Sequence, residues 1–306
     1  MATQMAELLS FVRGRTVAEK RARIGYIFVL PSLFFVAILF IIPACYGLLL
    51  SVSKWSIARP LSFVGLQNYR SVFTDSAFWS SLLRTVYFTA LSVPLTILLA
   101  LLVALGFYRI GQRVGSAFVR ALYFMPVVAS LTAVAYIWMW IFNPYYGLLN
   151  QVFAAVGLPQ LQWLDNQQQV IPSLSIMYIW ARLGFNMLIL LAGLNSIPRD
   201  YYEAGAIDGT NAWQAFRYVT LPLLNRQLVL VAVVEIATAL KTFALPYAAT
   251  GGGPVDASRM IVMLIYDLGF KWARMGESAV VANALFVLIM GLTLLQMRLF
   301  TRKVEM

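Results

Sequence analysis

The chain has 306 residues, of which 61% are hydrophobic and 11% charged, and its mean hydropathy is +0.79. Soluble domains carry roughly a quarter charged residues, so this balance excludes an ordinary soluble globule and points to an integral membrane protein. There is no histidine and one cysteine, Cys45, inside an apolar run; internal disulfides, cysteine–histidine zinc sites and Ser–His catalysis are excluded.

The net charge of +11 does not indicate nucleic acid, because the basic residues gather at the ends of apolar runs and form no aromatic-interleaved face. Residues 1–25 are hydrophilic and basic, with Arg13, Arg15, Lys20, Arg21 and Arg23. An amphipathic surface helix and a disordered basic tail both fit this segment. Tyr26 to Leu50 is an apolar run long enough to cross a bilayer and too long for the core of a signal peptide. Five more runs follow at Val86–Phe107, Val119–Phe142, Val170–Leu194, Leu228–Ala249 and Ala279–Leu299. Pro94 and Pro126 fall inside runs and Pro246 near the end of one, positions where a span can kink. Between the third and fourth runs, Gly147–Val156 has the length of a short interfacial helix, and Trp138, Trp140, Tyr145 and Tyr146 read as an aromatic belt.

Lysine and arginine counts orient the chain. With the N-terminus inside, cytoplasmic segments hold 14 and outer segments 7 of the 23, leaving Arg182 and Lys241 within spans. This bias places both termini and the segment around Glu203 in the cytoplasm. No internal repeat is evident, so residues 1–306 read as one transmembrane domain.

None of the five lysines follows a glycine, so the chain lacks the Gly-Lys-Ser/Thr of a phosphate-binding loop. No catalytic or metal-binding set emerges, and any energy must come from a partner. Arg182, Glu235 and Lys241 are ionisable groups inside apolar runs, where lipid exposure costs several kcal/mol. They are expected to face the bundle interior. Arg182 and Glu235 lie on consecutive spans and could pair, as a structural ion pair or as part of a solute path. Lys241, near the outer end of its span, can instead snorkel.

The remaining informative stretch is a polar island at residues 198–224. Pro198 suits a first helical turn, and Asp200 and Glu203 are acids near a helix N-terminus. Gly209 suits a left-handed cap, Thr210 or Asn211 can cap a second helix, and Pro222 interrupts that helix. Two short helices meeting at a bend are predicted. On spacing alone, a loop of merely solvated acids fits about as well.

Glu203-Ala204-Gly205, Asp208-Gly209, Phe216 and Thr220-Leu221-Pro222 resemble the "EAA" coupling loop of the membrane subunits of bacterial ABC importers. Trp180, Gly184-Phe185-Asn186-Met187, Ala192-Gly193-Leu194 and Gly251-Gly252-Gly253-Pro254 extend the match, and the similarity runs over most of Pro31 to Phe300. The chain thus resembles the maltose-transporter-like sugar permeases. Gly205 replaces the second motif alanine, and Thr210 stands where a small alanine is usual.

This resemblance implies an all-α membrane protein of six transmembrane helices with the type I importer permease fold, in the bacterial inner membrane. It implies a second, related permease as heterodimer partner, two ATPase subunits that carry ATP and Mg, and an extracytoplasmic substrate-binding protein. Glu203, Ala204, Gly205, Asp208 and Gly209 fall in the ATPase-coupling loop, with Glu203 orienting or anchoring it by ion pairing. The family's sugar-contacting positions fall at Arg182, Phe185, Glu235, Thr238, Ala239 and Thr242, with Asn186 and Lys241 adjacent. Phe185, Asn186, Thr238 and Thr242 suit a sugar, whose C–H faces stack on rings and whose hydroxyls need partners. Phe185 fits ordinary helix packing equally well. Two cations against one carboxylate favour a solute with a sulfo, phospho or carboxyl group. An ion-coupled secondary transporter is the main alternative, with Glu235 and Arg182 as its relay, but it leaves the coupling loop unexplained.

Overall fold

The computed structural model describes residues 17–56, 59–111 and 115–300; most of the predicted N-terminal segment and the last six residues lie outside these. Among the described residues, four helices are long and apolar enough to cross a membrane, or six if two sharply bent pairs each count as one span.

The first span joins α1 (Val17–Val36) to α2 (Ile42–Ser51) through a π-helical turn at Ala37–Ile41. It runs on into the only two-stranded sheet among the described residues, an antiparallel hairpin of β1 (Ser53–Ser56) and β2 (Arg59–Phe63) that hydropathy did not reveal. Then come α3 (Gln67–Thr74) and α4 (Ser76–Ile110). The second span thus begins ten residues before the predicted Val86. Asp75 caps it by accepting from the Ala77 amide at 2.8 Å, while Ser80, Ser81 and Arg84 dilute the hydropathy of its first turns. Pro94 lies within α4 without ending it.

The third apolar run is broken. α5 (Ser116–Val128) and α6 (Leu131–Ile141) meet at 103°. Pro126 lies three residues before the break, and Ser130 restarts the helix by accepting from the Ala133 amide at 3.2 Å. The predicted interfacial helix is α7 (Leu148–Ala155), followed by α8 (Val170–Asn195). Trp140, Tyr145 and Tyr146 are exposed as a belt requires, but Trp138 instead packs on Phe142 and Trp180.

The polar island forms α9 (Asp200–Ile207), α10 (Ala212–Ala215), a π-helical turn at Phe216–Thr220 and α11 (Leu221–Leu223). α12 (Asn225–Leu240) follows at 64° to the 212–223 segment, so the fifth span is entered through a bent helix. It also stops short of the predicted Ala249. Lys241 caps α12, Phe243 is non-helical, and α13 (Ala244–Thr250) is a separate helix packed against α6. α14 (Ile261–Tyr266), a π-helical turn at Asp267–Lys271 and α15 (Met275–Phe300) complete the chain.

The centre of the bundle is the pairing of α4 with α8. Ser81, Thr85, Ser92, Thr96, Ala100 and Ala104 form a buried small-residue stripe along α4, which lets the backbones approach closely. The hydroxyls of Thr85, Ser92 and Thr96 each donate to the carbonyl four residues earlier, while Ser81 Oγ is buried without a hydrogen-bond partner among the described residues. Across α8, a Cβ built on Gly184 would lie 2.1 Å from the Tyr123 carbonyl oxygen. Only glycine permits that contact between α8 and α5.

Candidate functional site

Residues 198–224 form an elbow set by its own caps. The last turn of α9 closes with the Thr210 amide on the Gly205 carbonyl at 2.9 Å and the Gly209 amide on Ala206 at 3.1 Å. Gly209 has φ +77°. This is the paired bonding of a Schellman motif, with the left-handed residue where glycine is favoured. Asn211 then starts α10 with a reciprocal capping box: it accepts from the Gln214 amide at 2.9 Å, and its own amide donates to the Gln214 side chain at 2.8 Å. Of the two predicted caps, Asn211 is used and Thr210 is not. Pro198 lies before α9 rather than in its first turn, and Asp200 and Glu203 occupy that turn.

The two departures from the family pattern touch each other. A Cβ on Gly205 would meet the Thr210 hydroxyl at 2.9 Å, so the missing methyl at 205 makes room for the extra hydroxyl at 210. Tyr202 and Thr220 share a hydrogen bond of 3.0 Å that fastens α9 to the far arm of the elbow. Burial pushes the Tyr202 phenol above its ordinary value, which keeps it protonated in that bond. Glu203 makes no ion pair among the described residues, and within this chain the caps hold the loop. Glu203, Ala204, Asp208 and Gly209 are exposed together with Ile207, Trp213 and Tyr218.

The intramembrane residues assemble where α8 faces α12. Arg182, Phe185 and Asn186 share one face of α8, and Glu235, Thr238, Ala239 and Thr242 follow the same i, i+3, i+4, i+7 spacing along α12 and its end. Glu235 is fully buried and receives Arg182 twice, from Nη2 at 2.6 Å and from Nε at 3.0 Å, both to Oε1. The Tyr178 hydroxyl donates to Oε2 at 2.8 Å. Tyr178 was not anticipated, although it lies four residues before Arg182, on the same face. The Arg182 guanidinium also sits 5.1 Å from the Phe185 ring centroid, so Phe185 joins the cluster as a cation–π partner.

The other predicted path residues make local contacts. Asn186 donates to the Arg182 carbonyl at 3.0 Å, and its Oδ1 is buried with no hydrogen-bond partner. Thr238 donates to the Val234 carbonyl at 2.7 Å. Thr242 is buried with an unpartnered Oγ1, and Ala239 is fully buried. Lys241 is exposed at the end of α12.

Residues 71–305 match the family model described as a binding-protein-dependent transport system inner membrane component. The chain belongs to this family. It is 31% identical over 281 residues to the trehalose/maltose transport system permease protein MalF of Thermococcus litoralis, covering 91% of this chain and 94% of that one. It is 32% identical over 284 residues to the sn-glycerol-3-phosphate transport system permease protein UgpA of Yersinia enterocolitica, covering 92% and 95%. A crystal structure of a bacterial alginate ABC transporter, in complex with an alginate pentasaccharide-bound periplasmic protein, contains a chain of the same fold. That chain superposes with a TM-score of 0.81 at 20% identity, covering 94% of this chain and 96% of that one. This permease is therefore an inner membrane component of an ABC transporter, related in sequence to sugar permeases. The family assignment gives no support to the ion-coupled alternative.

Proposed function

We propose that the permease is one membrane half of an ATP-driven, binding-protein-dependent importer for a sugar or sugar-like solute. The single observation that carries this reading is the continuity of elbow and path. The 212–223 segment and α12 are two helices that meet at 64° across Leu224 alone, and α12 carries Glu235. A push on the exposed face around Glu203 and Gly209 therefore turns the helix that lines the path. Both termini and the elbow lie in the cytoplasm, in keeping with the lysine and arginine bias. Two ATPase subunits hold ATP and Mg and bear on the elbow. A second permease closes the path as heterodimer partner, and a binding protein delivers solute at the opposite end.

Arg182, Phe185, Asn186, Glu235, Thr238, Ala239 and Thr242 line this path. The unpartnered Asn186 Oδ1 and Thr242 Oγ1 suit solute hydroxyls, because buried polar atoms without partners are costly. An anionic solute fits one edge of Arg182. Glu235 takes the Nε and Nη2 edge, while Nη1 makes no hydrogen bond among the described residues and the side chain is 21% exposed. UgpA, named for a phosphorylated polyol, supports this finer reading.

The test is reconstitution with copurifying subunits in proteoliposomes loaded with ATP. Uptake of a sugar or polyol delivered by the cognate binding protein should require ATP and persist when proton and sodium gradients are collapsed. Uptake by this chain alone, driven by an ion gradient, would refute the assignment.

A further inference from the structure

We propose that the rings of Phe243, Tyr247, Tyr266 and Phe270 form a platform for a pyranose ring, just beyond Thr242 toward the end of the bundle opposite the elbow. The proposal rests on the reading of this chain as a carbohydrate permease and adds a second holding point outside the Arg182–Glu235 cluster.

The rings come from the junction before α13, α13 itself, α14 and the π-helical turn that follows it, and meet as one continuous surface. Phe243 stacks on Tyr247 with centroids 4.8 Å apart and planes 22° apart. Tyr266 lies 5.3 Å from Phe243 and 5.5 Å from Tyr247, and Phe270 lies 5.4 Å from Tyr266. The surface is open: Tyr247 is 37% and Phe270 72% exposed. Neither tyrosine hydroxyl has a hydrogen-bond partner among the described residues. A core cluster would be sealed, and isolated interfacial rings would not stack on one another.

The charges behind the rings cancel locally. Lys271 Nζ lies 5.6 Å and 5.7 Å from the Tyr247 and Tyr266 centroids and donates to Asp267 at 2.6 Å. Asp267 in turn faces Arg259 at 3.4 Å, and Arg259 pairs with Asp256 at 3.3 Å. The hydrogen bond to Asp267 holds the Lys271 ammonium above its usual range, so it stays charged with two donors left over. The π-helical turn at Asp267–Lys271 sets Phe270 and Lys271 beside Tyr266; such turns recur at functional sites. An electrically balanced aromatic face bearing two free phenols and spare ammonium donors matches the C–H face and equatorial hydroxyls of a pyranose.

The test uses the full chain with its copurifying subunits in lipid nanodiscs, labelled with 3-fluorotyrosine. Signals are assigned by Tyr178→Phe, Tyr247→Phe and Tyr266→Phe. Maltose and glucuronic acid serve as pyranose probes, with ring-less sn-glycerol 3-phosphate as control. Saturable shifts of the Tyr247 and Tyr266 signals with a pyranose and not with the control are expected. Phe243→Ala should weaken the midpoint about threefold to tenfold. Pyranose shifts confined to Tyr178 would overturn the platform and leave the carbohydrate reading standing; no shift in any tyrosine would overturn both. Equal shifts with the control, or a midpoint unmoved by Phe243→Ala, would also overturn the platform. Should Phe243→Ala lose the Tyr178 signal through misfolding, the exposed Phe270→Ala takes its place with the same expected weakening.

Discussion

Arg182 and Glu235 join the α8 and α12 spans through a two-pronged ion pair, with the Tyr178 hydroxyl on the remaining carboxylate oxygen. All three groups lie on apolar helices, so each partner satisfies a charge or dipole that lipid would not.

Removing one side of this pair should cost more than removing both. Glu235→Ala leaves Arg182 unpaired and is expected to destabilise the chain by about 3–5 kcal/mol. Replacing Arg182 and Glu235 together by leucine should recover most of that loss. Thermal unfolding of the detergent-solubilised protein measures both, and a double variant no more stable than Glu235→Ala would show that the pair is not the source of the effect.

The free edge of Arg182 predicts a charge preference in transport. A variant carrying both Arg182→Gln and Glu235→Gln keeps the polar shape and removes both charges. Uptake of an anionic solute should then fall well below that of its neutral analogue, with roughly tenfold expected from about 1.4 kcal/mol of lost charge-assisted bonding. Parallel losses for the two solutes would exclude Arg182 as the discriminating group.

Gly209 should tolerate no side chain that resists the left-handed region. Nothing lies within 4 Å of a built Cβ, yet φ is +77°, so the penalty is backbone strain of about 1–2 kcal/mol and not collision. Gly209→Val is expected to leave the bundle folded, lower ATP-driven uptake and spare ATP hydrolysis. Wild-type uptake per ATP hydrolysed in that variant would dissociate the elbow from coupling.

Gly205 and Thr210 should behave as a coupled pair. Gly205→Ala alone meets the Thr210 hydroxyl and is expected to gain little or lose stability. In a Thr210→Ala background the same change should stabilise α9 by about 1 kcal/mol, the helix-propensity difference between the residues. A double-mutant cycle with no interaction energy would contradict the contact.

Much of this architecture was legible because hydropathy and capping chemistry are local. The elbow could be read from Gly209, Asn211 and Pro222, and the pairing of Arg182 with Glu235 from two charges on consecutive spans. Other features depend on tertiary context. Run length alone cannot show the 103° break between Val128 and Leu131, since the sequence stays apolar across it. The early start of α4 was hidden by Ser80, Ser81 and Arg84, whose polarity is offset by a cap and by packing. Tyr178 looked like any aromatic residue in a span, and only the position of Glu235 gives its hydroxyl a purpose. Phe243 and Tyr247, like Tyr266 and Phe270, are four residues apart, but a gap from 247 to 266 separates the pairs, so no periodicity brings one to the other.

From Ile24 to Ile42, every residue except the half-buried Ala37 is exposed. Those residues take almost no support from their own subunit. Their choice is answerable to whatever flanks the molecule, be it acyl chains or a neighbouring polypeptide. Substitutions at Phe34 or Leu39 would therefore report on the surroundings of the helix while leaving the remaining spans packed as they are.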